Sequence, residues 1–359
     1  MKRFLSSCAR LPRVVISIGV AALLASLAVP ARAVTIDMVT VGNPGNANDT
    51  TNYGGVNYSY QIGKYDVTIG QYTDFLNAVA TTDTYSLYNT SMATDLNVAG
   101  IARAGSSGSY TYSVINNGGD SSNRPITYVS WWDSARFSNW MANGQPTGAQ
   151  SSTTTENGAY NVNGATSGNA PAKNVTNPNT SAAPTLFIPN ENEWYKAAYF
   201  DPTLNSGSGG YYAYATQSNT APGNIVGSGT NQANYKNGLF SVTQASSYSA
   251  SQNYLTDVGA FTNSASFYGT FDQSGIVFQW NDLDGTSGSS RGLRGGDWNL
   301  PASFLLSSTG FSRTPSDEDR NIGFRLASPV AVPEPSTYCM ALAGLACGGY
   351  TMFRRRRAR

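Results

Sequence analysis

The sequence predicts an irregular, loop-rich α+β domain with short helices and a small twisted sheet. Three observations lead there. Three helix starts carry full capping signatures ahead of an apolar stripe. Four short β-prone runs are scattered between and after them. Two long stretches, about 143–183 and 205–231, are rich in Ser, Thr, Asn and Gly and hold almost no large aliphatic side chains. Motif-like blocks flank both stretches, so these read as loops on one domain, 34–328, and not as linkers between two. No internal repeat is visible.

The elements follow in chain order. A strand is expected over 58–65. Thr68 and Gln71 form a capping box, and Ile69, Tyr72, Leu76 and Val79 then fall on one helical face. Ser130 and Asp133 open a second helix with Trp132, Ala135 and Trp140 on its apolar side, closed by Asn143-Gly144. Asn190 and Glu193 open a third, with Trp194, Ala197 and Ala198 inward; Glu193 is expected to serve as cap and ion-pair partner. Three more strands are expected over 276–280, 293–297 and 323–327.

Of the 359 residues, 12% are charged and 40% hydrophobic, enough apolar material for a core beneath a surface of neutral hydrogen-bonding groups. Ten of the 22 basic residues lie at the ends: Lys2, Arg3, Arg10, Arg13 and Arg32, then Arg354 to Arg357 and Arg359. The chain between keeps twelve basic against 21 acidic residues, a net of −9. No basic stripe is left to neutralise phosphates, so nucleic-acid binding is not expected. There is no histidine, which removes Ser-His-Asp and Cys-His catalysis and histidine-held zinc or iron. Cys8, Cys339 and Cys347 all lie in the terminal segments, so the middle has neither thiol nor disulfide.

Both ends read as addresses. A basic start, an apolar run over 14–29 and Ala31-Arg32-Ala33 form a secretory signal over 1–33, with the mature chain starting near Val34. The alternative is an uncleaved membrane anchor. At the other end, Val332-Pro333-Glu334-Pro335-Ser336 precedes an apolar run over 338–353 and the arginine cluster. A short transmembrane helix would fit there, its basic tail held inside. This three-part arrangement over 329–359 resembles the PEP-CTERM sorting signal of Gram-negative bacteria, which implies an exosortase as partner and a final place at the cell surface, in the outer membrane or outside the cell. An ordinary C-terminal anchor would give the same topology.

Five ordered blocks fill the middle. The first is Tyr60-Gln61-Ile62-Gly63-Lys64-Tyr65-Asp66-Val67-Thr68. The second runs from Arg124-Pro125-Ile126 through Trp131-Trp132-Asp133 to Trp140. Then come Phe187-Ile188-Pro189-Asn190-Glu191-Asn192-Glu193-Trp194 and Gly269-Thr270-Phe271-Asp272-Gln273-Ser274-Gly275-Ile276-Val277-Phe278-Gln279-Trp280. Leu293-Arg294-Gly295-Gly296-Asp297-Trp298 is the fifth, closed by Asn321-Ile322-Gly323-Phe324-Arg325. In this order they resemble the formylglycine-generating enzyme, or sulfatase-modifying factor, family over about 58–327. That resemblance implies a C-type-lectin-like fold. Each block also has a packing explanation: glycines for tight backbone, Trp to plug a core, an arginine to bind carbonyls or carboxylates.

The resemblance also implies a copper-binding cysteine pair within about 305–313. This chain reads Leu305-Leu306-Ser307-Ser308-Thr309-Gly310-Phe311-Ser312-Arg313 there, and hydroxyls are poor ligands for soft Cu(I). Neither copper nor iron is therefore expected. A calcium site is implied at Asp272, the carbonyls of Gly275 and Val277, and Gln279, where Gln stands in place of the family's Glu. A weaker second site would use Asn234 and the Tyr235 carbonyl. Asp317-Glu318-Asp319 is expected to be a solvated turn, and 281–285 a turn with Asx capping. The resulting expectation is a non-catalytic surface module, with a ligand groove near Trp298, Asn299, Phe311 and Arg313, recognising extracellular polysaccharide or another surface protein. The alternative is a metal-dependent enzyme of the same family.

Overall fold

Each of the three capping boxes starts a helix, because reciprocal side-chain bonds satisfy the first orphan N–H groups. The structure is a computed structural model that describes residues 33–329. The export signal expected over 1–33 and the apolar helix expected over 338–353 lie outside the described residues, apart from Ala33.

The helices are α1 (Ile69–Val79), α2 (Ser91–Thr94), α3 (Trp131–Ala142), α4 (Glu191–Tyr199) and α5 (Leu204–Gly207), the last a tight turn with positive φ at Asn205 and Ser206. Thr68, Ser130 and Asn190 each accept from the backbone N–H three residues on, and Gln71, Asp133 and Glu193 reach back. Every side chain of α3 is buried, so this helix is the axis of the domain. Tyr72 and Phe75 of α1 pack on Phe137 and Trp140 of α3, with Phe75 5.2 Å from both.

The strands are β1 (Met38–Val41), β2 (Tyr60–Gly63), β3 (Ile101–Ala104), β4 (Thr111–Val114), β5 (Phe200–Asp201), β6 (Gly210–Tyr211), β7 (Lys236–Asn237), β8 (Leu239–Phe240), β9 (Phe278–Asn281), β10 (Arg291–Arg294), β11 (Phe311–Arg313), β12 (Ile322–Gly323) and β13 (Ala327–Ser328). They make a three-stranded sheet β1-β2-β13, a four-stranded sheet β11-β10-β9-β12, and three two-stranded hairpins.

The single strand expected over 323–327 is two. β12 runs parallel to β9, with Ile322 opposite Phe278, while β13 runs antiparallel to β2, with Ala327 opposite Ile62. Between them Phe324 packs edge-on against Phe137 at 5.4 Å, and the Phe324 carbonyl accepts from Val67 N–H. The Gly-Phe-Arg segment is thus the crossover that joins the two larger sheets.

The polar stretch over 143–183 is loop, as expected, but it is not mere decoration. Ala159, Tyr160, Val162 and Ala170 are buried in the main core. Asn139 of α3 holds this segment: its amide donates to the carbonyls of Thr155 (2.7 Å) and Tyr160 (2.9 Å) and accepts from Tyr160 N–H (2.7 Å). Arg136 adds a bidentate pair to Glu156 at 2.8 and 2.9 Å, both groups buried. Removing one partner of such a pair strands a buried charge. The expected outcome for Glu156→Gln is a loss of about 3 kcal/mol by urea unfolding. Ser130→Ala, which removes the α3 cap, is expected to cost about 1–2 kcal/mol.

Candidate functional site

β9 carries Gln279 into the interior, where it meets the Arg325 side chain from the crossover. Gln279 Oε1 accepts from Trp194 Nε1 (2.7 Å) and Arg325 Nε (2.6 Å), and its Nε2 donates to the Asp272 carbonyl (2.9 Å). Arg325 also donates to the carbonyls of Gly63 (2.9 Å) and Phe271 (2.7 Å) and to Asp66 Oδ1 (3.3 Å). Asp66 Oδ2 is buried without a partner. Burial pushes the Asp66 carboxyl up to about 8 against the pull of Arg325. It pushes Asp272 up to about 6, against the Gly259 N–H that donates to Asp272 Oδ2 (2.6 Å) and against Arg325.

Two of the calcium ligands implied by resemblance already have protein donors. A Gln oxygen has two lone pairs, and both are used on Gln279, one by a cation. The Gly275 carbonyl accepts from Val277 N–H (2.9 Å) in a tight turn around Ile276. At the second set, Asn234 Nδ2 donates to the Tyr254 carbonyl (2.9 Å) and Thr256 Oγ1 (3.3 Å). The Tyr235 carbonyl there takes Asn224 Nδ2 (3.2 Å) and Ser241 Oγ (3.3 Å). Among the described residues no three His, Cys, Asp or Glu side chains converge as a metal site.

Of the four groove residues, Trp298 is buried and the other three are exposed. Trp298 is 1% exposed, stacked on Tyr254 with ring centres 4.7 Å apart. It plugs the core because Gly295 and Gly296 both have positive φ; at Gly296 a Cβ would meet Leu305 Cδ1 at 2.7 Å. Asn299 is exposed. Phe311 and Arg313 are exposed on β11, Phe311 against Phe304 and Phe278, Arg313 3.7 Å from Asp317. The surrounding stretch is committed to packing. Leu305 is buried, and the carbonyls of Ser307 (2.7 Å) and Thr309 (3.0 Å) accept from Arg294, which also pairs with Glu191.

Three acidic readings also change. Glu193 caps α4, but its other oxygen accepts from Tyr58 Oη (2.8 Å) and forms no close ion pair. Glu318 is partly buried, held by Asn89, and burial pushes it up to about 7. The turn at 281–285 does carry an Asx bond, Asn281 Oδ1 accepting from Leu283 N–H (2.9 Å). Its Asp282 is a buried hub taking Trp131 Nε1 (2.7 Å) and Tyr160 Oη (2.5 Å) beside Arg291 (3.3 Å).

The surface offers cavities that the sequence reading missed. One of about 590 Å³ is edged by Asp37, Asp66, Asp74 and Asp257. A second, about 520 Å³, is lined by Gly45, Asn46, Asn48, Gly55, Val56, Asn57, Tyr58, Asn190 and Asn192. A third, about 450 Å³, shares Asn192 and includes Tyr53. The signal for the second is the density of Asn over 43–57.

Capped short helices, two small sheets joined by a crossover and long packed loops define an irregular α+β module of the C-type-lectin-like class. The chain belongs to the sulfatase-modifying factor enzyme 1-like family, whose model matches residues 37–330. A PEP-CTERM protein-sorting motif matches residues 331–357, marking the chain for export and surface sorting through a signal that exosortase recognises. Among solved structures, the chain is similar to CarF (19% identity, TM-score 0.46, covering 83% of this chain and 99% of that one) and to Treponema denticola variable protein 1 (17%, 0.43, 83% and 99%). It is also similar to PvdO from Pseudomonas aeruginosa (16%, 0.41, 82% and 92%). No curated protein matches. Among the described residues no helix is long and apolar enough to cross a membrane.

Two outcomes follow from the buried cluster. Arg325→Met leaves Asp66 without its cation and several carbonyls without donors; a loss of about 3–5 kcal/mol is expected by urea unfolding, and Arg325→Lys cannot restore a five-donor fork. The pH dependence runs opposite to ordinary acid unfolding. Asp272, Asp282 and Asp297 titrate near about 6 and Asp66 near about 8, all raised by burial above the unfolded carboxylate range. The folded chain therefore holds protons that the unfolded chain releases. Their stabilisation is complete below the unfolded values and is lost as pH rises through about 6 and then about 8. The melting temperature is expected to fall between about pH 5 and pH 8.5, by calorimetry, with on the order of 3 kcal/mol at stake for a two-unit shift.

Proposed function

We propose that this chain is a non-catalytic binding module of the cell surface or extracellular matrix, keeping its family's fold without its oxidase chemistry. One observation carries the reading. The stretch over 305–313, where the family resemblance implies copper-binding cysteines, offers only apolar, hydroxyl, glycine and arginine side chains, and its Ser307 and Thr309 carbonyls are held by Arg294. The same interior faces Gln279 with a guanidinium where the resemblance implies a metal. Neutral Asn, Ser, Thr and Tyr on the loops suit adaptable polar and aromatic contact with a matrix polysaccharide or another surface protein.

The test uses the purified full chain, Cu(I) and a cysteine-containing sulfatase peptide. No stoichiometric copper by elemental analysis, no oxygen uptake and no aldehyde on the peptide are expected. Tight copper binding with conversion of the peptide thiol would overturn the reading.

A further inference from the structure

The cavity of about 520 Å³ beside the start of α4 has no charged side chain in its lining. Two of its amides are set by bonds to the backbone. Asn48 Oδ1 accepts from Gly55 N–H (2.6 Å), and Asn192 Oδ1 accepts from Gly54 N–H (2.9 Å). An amide whose oxygen is held this way has a fixed plane, and its NH2 group is left over. Neither NH2 donates to a protein acceptor among the described residues, and the exposed Asn57 amide has no protein partner either. Tyr58 stands at the same cavity, the residue 44% exposed. Its Oη is pinned to Glu193 Oε1 (2.8 Å), and Glu193 is pinned in turn by the α4 cap at Asn190 N–H (2.8 Å). The ring is thus a fixed platform and not a swinging side chain.

This combination selects a ligand class. With no charge in the lining, nothing there neutralises a phosphate, uronate or ammonium. An apolar ligand would cover the amide donors without accepting from them, at about 1–3 kcal/mol for each group left unpaired. A pyranose satisfies both features, with an apolar C–H face for the ring and hydroxyl and ring oxygens at its edge for the amides. The volume lies within the usual range for small-ligand sites. The neighbouring cavity shares Asn192 and brings the exposed Tyr53, but also Glu191, Asp284 and Arg291, so the charge-free lining is that of the first cavity alone. We infer that the Asn48–Asn57–Tyr58–Asn192 cavity binds an uncharged polysaccharide, with Tyr58 stacked on a sugar face and the three amides donating to sugar oxygens. This rests on the chain being a binding module.

The test is affinity electrophoresis of the full chain in gels containing dextran or galactomannan, with polygalacturonate as the acidic polymer. Retardation by a neutral polymer and none by polygalacturonate is expected. Asn48→Asp and Asn192→Asp keep the oxygen that receives the glycine N–H and remove the free NH2. Each is expected to weaken the neutral-polymer interaction at least tenfold with an unchanged melting temperature. Tyr58→Ala should do the same and Tyr58→Phe should retain most of the binding; if Tyr58→Ala fails to fold, the two Asp variants decide. Retardation that these variants leave intact, retardation by polygalacturonate alone, no retardation, or capture of a surface protein that a neutral polymer does not displace would each overturn the assignment. The copper and thiol assay reports separately, so a chain inert there and unretarded here sinks only the polysaccharide.

Discussion

A domain built mostly of loops must find donors for buried carbonyls that no helix or ladder serves, and in this chain buried guanidinium groups supply them. Arg136, Arg291, Arg294 and Arg325 are all at most 3% exposed. Each faces one carboxylate and binds carbonyls of distant loops: Arg136 the Ala165 carbonyl, Arg291 those of Ala170 and Pro171, Arg294 those of Ser307 and Thr309, and Arg325 those of Gly63 and Phe271. Arginine suits the task because one planar fork carries five donors and keeps its charge. Glu156, Asp282 and Glu191 offset that charge at Arg136, Arg291 and Arg294, whereas burial favours the protonated form of Asp66 beside Arg325. Arg136 and Arg291, with Asn139, are what tie the polar stretch over 143–183 to the core.

The same device bears on chemistry. A redox or Lewis-acid centre needs several unspent donors converging on one point. Here the oxygens that could converge are already turned to guanidinium or amide N–H, as at Gln279 and at the Tyr235 carbonyl. The carboxyls left over, Asp66 Oδ2 above all, sit in surroundings that favour the protonated form. An interior wired in this way is suited to holding loops in place.

Much of this was legible in the sequence where the cause is local. A capping box is a four-residue signature, so all three long helices could be located from it, and Arg-Gly-Gly-x-Trp announces its own tight turn and core plug. What could not be read was long-range. Arg325 pairs with Asp66 and Arg294 with Glu191 across separations of 259 and 103 residues, and no spacing rule selects those partners. The segment over 323–327 reads as one strand because Phe324, Arg325 and Leu326 alternate apolar and polar side chains, yet the Arg325 guanidinium lies where the chain passes between two sheets. Trp298 could be a plug or a groove wall by residue type; burial alone separates them. Asparagine was the least legible residue of all. Asn139 staples a loop to α3 with every polar atom spent, whereas Asn48 and Asn57 stand at a cavity with donors free, and composition is the same in both places.

The two uses of asparagine belong together. Recognition of a hydroxylated polymer by neutral donors is weak per contact, because each bond to the ligand replaces one to water. What makes such contacts add up is that the donors need not be ordered on binding. The loop over 45–58 achieves this at two amides, its Gly55 and Gly54 N–H groups holding the oxygens of Asn48 and of Asn192 in α4, and it gives the Tyr58 hydroxyl to the capped end of α4. α4 in turn is anchored through Glu191 to Arg294 and through Trp194 to Gln279, the partner of Arg325. The guanidinium lattice in the interior is therefore what keeps the Asn192 amide and the Tyr58 ring aimed.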